Sequence, residues 1–179
     1  FGQMTNTNHD FYKRAHEILV SLLGEGATFR DGQYEAIEAT MTRPRTLVVQ
    51  RTGWGKSLIY FICTRLMRER GRGATIVVSP LLILMKNQLE SATRLGLRCE
   101  VLNKTTVERQ GEIMTSLKKN ELDLVLVTPE TLFKDDIREE FKKVDIGLFL
   151  AVIFCDYICN LSVGRHMPFR DLLYSFINS

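Results

Sequence analysis

Apolar residues recur along this chain in two alternating rhythms. Spacings of three and four place Phe11, Ala15, Ile18, Leu19 and Leu22 on one face of a helix that Asp10 can cap and Gly24 can close. A second helical pattern runs through Ala36, Ile37 and Met41 until Pro44 stops it. A short β-branched run over 46–49 follows, then a helix over 58–70 with Ile59, Ile62 and Leu66 on one side. Gly71-Arg72-Gly73 turns the chain into the apolar run 74–78. Further runs at 97–102, 122–127 and 146–155 alternate with helical patterns over 81–95, 106–119 and 131–143. Near-continuous apolar strands alternating with amphipathic helices predict an α/β fold, a mostly parallel central sheet with helices on both faces. Such sheets bind ligands beyond the carboxyl ends of their strands.

The 179 residues amount to one domain, expected over 10–179 with a loose segment at 1–9, and the start at Phe1 suggests a piece of a longer protein. A hydrophobic content of 45%, a charged content of 25% and a formal charge of +3 permit nucleic-acid binding without demanding it. The longest apolar run, 146–155, is too short to cross a bilayer, and no signal peptide is expected. Four cysteines are too few for a disulfide scaffold, which points to a reducing compartment: the cytoplasm, with the bacterial nucleoid, or the nucleus. Cys155, Cys159 and His166 lack a fourth ligand and a recognisable spacing, so no zinc is expected.

The chemistry concentrates where the 46–49 run meets the next helix. Thr52-Gly53-Trp54-Gly55-Lys56-Ser57 is a glycine-spaced loop between a strand and a helix. That arrangement turns backbone N–H groups and the positive end of a helix dipole toward phosphates. Lys56 would reach the β- and γ-phosphates, and the Ser57 hydroxyl would take a place on Mg²⁺. Gln50 stands where the usual pattern has its first glycine. The plainer alternative is a lysine opening an ordinary helix. Upstream, Phe29-Arg30-x-x-Gln33 offers a carboxamide that can pair with adenine in bidentate fashion and so select ATP over GTP; the alternative is a solvated glutamine in a first helical turn.

Taken in order, Phe29-Arg30-x-x-Gln33, the Gln50–Ser57 loop, the Val78–Gln88 segment with its Ser79-Pro80-Leu81 opening, and Val127-Thr128-Pro129-Glu130 closely resemble the first RecA-like domain of RecQ-type DNA helicases of superfamily 2. The resemblance covers about residues 28–150. It implies ATP and Mg²⁺ as cofactors, with Arg30 and Gln33 on the adenine, the loop from Thr52 through Gly53, Trp54, Gly55, Lys56 and Ser57 on the phosphates, and Ser57 with Asp156 on the metal. Lys56 and Asp156 would be the catalytic pair. Ser79, Pro80, Thr128, Pro129 and Glu130 would lie along a single-stranded or partly duplex DNA, with Lys86 or Lys104 adding charge. Helix N-termini with small hydroxyl residues suit phosphates without reading sequence, although both proline-marked stretches would also start helices for purely structural reasons. A second RecA-like domain, outside these residues, would complete the ATP cleft and couple hydrolysis to 3′-to-5′ translocation.

Three departures accompany the resemblance. Residues 24–27 hold no aromatic to stack on adenine. The magnesium motif should read Asp-Glu-x-His but reads Asp156-Tyr157-Ile158-Cys159, without the water-orienting carboxylate. The last strand is about three residues longer than the family pattern, and 162–170 only faintly echoes its aromatic-rich loop, in His166 and Phe169-Arg170. Two other readings therefore stand beside the helicase: a module that binds nucleotide or nucleic acid without hydrolysis, and another P-loop enzyme such as a small-molecule kinase, against which the Ser79-Pro80-Leu81 phrase weighs.

Overall fold

The structure, a computed structural model, describes residues 4–43, 46, 48, 53–79 and 82–151. The strand expected at 46–49 lies mostly outside the described residues, as do Thr52, Pro80, Asp156 and everything after 151.

Three helices open the chain: α1 (Met4–Leu23), α2 (Gln33–Thr42) and α3 (Lys56–Glu69). Strand and helix then alternate: β1 (Ala74–Val78), α4 (Leu82–Arg94), β2 (Cys99–Leu102), a 3₁₀ turn (Val107–Arg109) leading into α5 (Gln110–Lys118), β3 (Leu124–Val127), α6 (Pro129–Leu132), α7 (Asp135–Phe141) and β4 (Ile146–Ala151). All pairings among these four strands are parallel, in the order β2-β3-β1-β4. The α/β class expected from the hydrophobic pattern is the one adopted.

The strand period of two divides the core between the two faces of the sheet. Ile76 and Val78 of β1, Val125 and Val127 of β3 and Leu102 of β2 pack with Ile113, Met114 and Leu117 of α5 and with Leu132, Ile137 and Phe141 of α6 and α7. Val77, Val101, Leu124 and Leu126 point the other way, onto Tyr60 and Phe61 of α3 and Met85 and Ala92 of α4. The far side of α3, through Ile59, Ile62, Cys63 and Leu66, meets α1 and α2. Sequestering an Ile, Leu or Phe contributes roughly 1.5–3 kcal/mol, so α3, buried on two sides, is the helix the rest packs around.

Several boundaries differ from the sequence reading, each for a local reason. Helix α1 begins at Met4, so Asp10 lies inside it rather than capping it. Threonine and asparagine cost only tenths of a kcal/mol in a helix, and a helix nucleated by the apolar face propagates back through them. The single helix expected over 131–143 is two: Lys134 is extended (φ −65°, ψ 132°), and Asp135 and Asp136 place carboxylates in the first turn of α7, where the helix dipole favours them. β2 and β3 start two residues later than expected because the Arg98 N–H donates to the Asp123 carboxylate at 2.9 Å instead of joining the ladder.

The amino ends of the strands are closed by that carboxylate. Asp123 accepts from Arg68 Nε at 2.8 Å and from Arg98 Nη2 at 2.8 Å and Nε at 3.1 Å. Burial opposes its ionisation, but the Arg98 hydrogen bonds and the two guanidinium charges outweigh it and hold the carboxyl below its ordinary value. Alongside, β1 and β4 enter the sheet so closely that a Cβ on Gly73 would sit 1.8 Å from the Asp145 carbonyl, which only glycine avoids.

Candidate functional site

The loop ahead of α3 is held by the segment that leads into α2. Tyr12, His16, Phe29 and Tyr34 form an aromatic cluster, and His16 Nε2 lies 3.0 Å from the Ala27 carbonyl oxygen, fixing the connection from α1 to α2. From that anchored stretch, Arg30 Nη1 donates to the Gly53 carbonyl at 2.7 Å. Gln33 Nε2 donates to the Trp54 carbonyl at 2.9 Å, and Trp54 Nε1 donates back to the Asp31 carbonyl at 3.2 Å. Three bonds thus fasten two motifs that lie a helix apart in the chain. Gly55 sits at φ 102° with its α-carbon against Gln33: a Cβ there would lie 2.6 Å from Gln33 Nε2. Conformation and close approach both require glycine at that point.

Gln33 is 2% exposed, and its Oε1 accepts from the Arg30 N–H at 2.9 Å. Both ends of its carboxamide, expected on adenine, are engaged inside the protein. Trp54, expected on the nucleotide, is buried in the core that α1, α2 and α3 share. Lys56 and Ser57 form the first turn of α3, both half-buried, at the helix end whose N–H groups lack intrahelical acceptors.

The loop opens on a cavity of about 410 Å³. Gly53, Gly55 and Ser57 line one part of it and Thr28, Arg30 and Gln33 another. Among the described residues no carboxylate lines it, and the charged ones that do are Arg30 and Arg94. A pocket of this size with a positive described lining suits an anionic ligand as large as a nucleotide. Leu23 and Arg94, which also line it, carry no sequence signal: one is the last residue of α1, the other a basic residue ending α4, where the helix dipole alone accounts for an arginine.

The second group of candidates gathers at the carboxyl ends of β1 and β3. Val78 pairs with Val127, and the Ser79 N–H donates to the Val127 carbonyl at 3.0 Å, so Ser79 and Thr128 follow neighbouring strands side by side. Ser79 is fully buried, with no hydrogen-bond partner for its hydroxyl among the described residues, and Thr128 Oγ1 lies 3.0 Å from Thr131 Oγ1. Pro129 opens α6, while Glu130, Lys86 and Lys104 are exposed. The carboxylate of Glu130 adds negative charge to this patch. Asp156, Tyr157 and the cysteine and histidine considered for zinc lie outside the described residues. Among the described residues no cluster of histidine, cysteine and carboxylate side chains could hold a metal; Cys63 and Cys99 are free thiols that burial pushes up to about 12.

The family model of the DEAD/DEAH box helicases matches residues 30–152, from the arginine that grips the loop to the end of β4. The chain belongs to the DEAD/DEAH box helicase family. Within it, this helicase chain is 38% identical over 152 residues to the ATP-dependent DNA helicase RecQ of Haemophilus influenzae, covering 84% of the chain and 22% of that protein. It is 35% identical over 137 residues to the ATP-dependent DNA helicase RecQ of Bacillus subtilis, covering 75% of the chain and 22% of that protein. The chain therefore spans under a quarter of the length of these relatives. Among solved structures it is similar to the SWI2/SNF2 ATPase core of Sulfolobus solfataricus in complex with dsDNA, at a TM-score of 0.48 and 16% identity, over 70% of this chain and 31% of that one. The RecQ-type resemblance carried by the loop and the strand-end phrases thus extends along most of the helicase domain.

Proposed function

We propose that this domain binds Mg²⁺·ATP in the loop cavity and one strand of single-stranded or partly duplex DNA along the carboxyl ends of β1 and β3, and that in the full-length protein ATP hydrolysis drives 3′-to-5′ unwinding inside the cell. The observation that carries this reading is the fastening of Gly53 and Trp54 to Arg30 and Gln33 beside a cavity whose charged lining, among the described residues, is two arginines. In it, Thr52, Gly53 and Gly55 would wrap the phosphates with backbone N–H groups, Lys56 would meet the β- and γ-phosphates, and Ser57 and Asp156 would hold Mg²⁺, whose chemistry there would be to neutralise phosphoryl charge. Arg30 and Gln33 face the base. An adenine read by Gln33 replaces the bonds to the Arg30 N–H and the Trp54 carbonyl, so base recognition and loop anchoring become linked. Ser79, Pro80, Thr128, Pro129 and Glu130 border the DNA and Lys86 attracts it; a second RecA-like domain closes the cleft.

Titration of the chain with fluorescent ADP and GDP in Mg²⁺ tests the nucleotide assignment: ADP binds more tightly, and equal affinities would sink the adenine role of Gln33. Single-stranded DNA binding, followed by anisotropy across a salt series, weakens with salt along a shallow slope because few phosphates are met. Binding indifferent to salt contradicts the DNA assignment.

Tyr157, standing where a water-orienting carboxylate belongs, favours a second reading: nucleotide binding without useful turnover by these residues. Phosphate release then stays near background for the chain and its Tyr157→Glu variant, and rises for that variant only when a second RecA-like domain supplies the arginine finger, an element worth on the order of 10³–10⁵-fold. Brisk turnover by the unaltered chain refutes this reading.

A further inference from the structure

We infer that Arg94, at the end of α4, is a phosphate-binding residue of the nucleotide cavity, which it lines together with Ser57 from the first turn of α3. The inference rests on the nucleotide reading above and goes beyond it, since none of the loop motifs includes α4. Ser57 and Leu58 line the cavity on the α3 side, and Ser91, Arg94 and Leu95 line it on the α4 side. Of the two charged side chains in the lining, Arg30 is already committed to the Gly53 carbonyl. Arg94 is exposed. The ion pairs among the described residues engage Arg14, Arg65, Arg68, Arg98, Arg109 and Arg138 and leave Arg94 out.

A guanidinium with no carboxylate partner among the described residues, on the wall of a cavity with no described carboxylate in its lining, is available to an arriving anion. The anion expected on the Ser57 side is the β,γ end of the triphosphate, because that is where α3 presents its N-terminal N–H groups. Arginine suits the position through its planar fork, which can bridge two phosphate oxygens at once. With the base assigned to Gln33 and the phosphates to the Ser57 end, a phosphate role for Arg94 predicts discrimination among phosphate chain lengths and not among bases. The competing account is structural: a basic residue in the last turn of α4 complements the helix dipole, and its aliphatic stem covers neighbouring apolar surface.

The two accounts separate in a competition experiment with the full chain in Mg²⁺, in which ATP and AMP each displace a fluorescent ATP analogue from wild type, Arg94→Gln and Arg94→Lys. The phosphate role predicts ATP binding weakened about five- to ten-fold in Arg94→Gln, AMP binding changed less than two-fold, and most of the ATP affinity regained in Arg94→Lys. Thermal melts of the unliganded variants should coincide with wild type. ATP affinity within two-fold of wild type in Arg94→Gln, or equal weakening of ATP and AMP, overturns the inference and leaves Arg94 a helix-end residue while the nucleotide reading stands. A wild-type chain that fails to bind ATP overturns both together.

Discussion

Arginine is used in two opposite ways at the two ends of the sheet. At the amino ends, Arg68 and Arg98 converge on Asp123, and the carboxylate accepts from both guanidinium groups and from a backbone N–H. At the phosphate-loop side, Arg30 donates to a neutral carbonyl, and among the described residues Arg94 has no ion pair and no carboxylate lines the cavity. The first arrangement cancels charge and ties β2 and β3 to the end of α3. The second preserves charge and holds a loop in shape. Stability and ligand binding thus draw on the same side chain, separated by whether an anion is built in.

The comparison can be broken most forcefully at Asp123. Asp123→Asn should lower unfolding stability by about 2–3 kcal/mol, below the roughly 3–5 kcal/mol of a fully buried broken pair because Arg98 is half exposed. Chemical denaturation reads this directly, and nucleotide affinity should stay within two-fold. The pH dependence has a definite sign. A carboxyl held below its ordinary value of 3.8 contributes stability that is full above that value and is lost as pH falls through the lower folded value. The gap between wild type and Asp123→Asn should therefore be constant from neutral pH to about 5 and shrink steadily below pH 4. A gap that widens in acid contradicts the arginine clamp.

On the loop side, Gly55→Ala should cost about 2 kcal/mol, from a positive φ and a Cβ pressed on the doubly bonded Gln33 amide, and should abolish measurable nucleotide binding. The same variant with normal ADP affinity shows that the loop is not the phosphate cradle.

Much of this division can be read from the sequence, and the limits are physical. The four described strands and their alternation with helices follow from periodicity, a local signal repeated over many residues, and the resemblance to RecQ-type helicases singles out Phe29–Gln33 and the Gly53–Ser57 loop as parts of one site. The break at Lys134 is hidden in the pattern because a single extended residue interrupts an otherwise helical run, although Asp135 and Asp136 are a start signal for α7. The burial of Trp54, the internal bonds of Gln33 and the position of Arg94 depend on which elements meet in space, and no spacing along the chain encodes that meeting. Trp54→Phe sharpens the point: losing the indole N–H bond to the Asp31 carbonyl should cost about 1 kcal/mol and weaken ADP only a few-fold, whereas a direct contact with nucleotide would lose far more.

The smallest effect is expected at the exposed pair between Arg14 and Glu69, whose side chains are 45% and 34% exposed. Arg14→Ala should change stability by less than about 1 kcal/mol, and 1 M salt should erase the difference. A larger, salt-resistant loss would mean that charge pairing stabilises this domain well beyond the Asp123 clamp.

The central claim, that one end of the sheet uses charge for stability and the other for phosphate, is tested most directly by the stabilisation that Mg²⁺·ADP confers on unfolding. Ligand at about one hundred times its dissociation constant adds about 2.7 kcal/mol to the stability of a protein that binds it only when folded. Measured by denaturation with and without ADP, that increment should be the same in wild type and Asp123→Asn, although the second starts from a lower baseline, and should vanish in Lys56→Ala when that variant is compared with its own unliganded baseline. An undiminished increment in Lys56→Ala, or its loss in Asp123→Asn, would contradict the account.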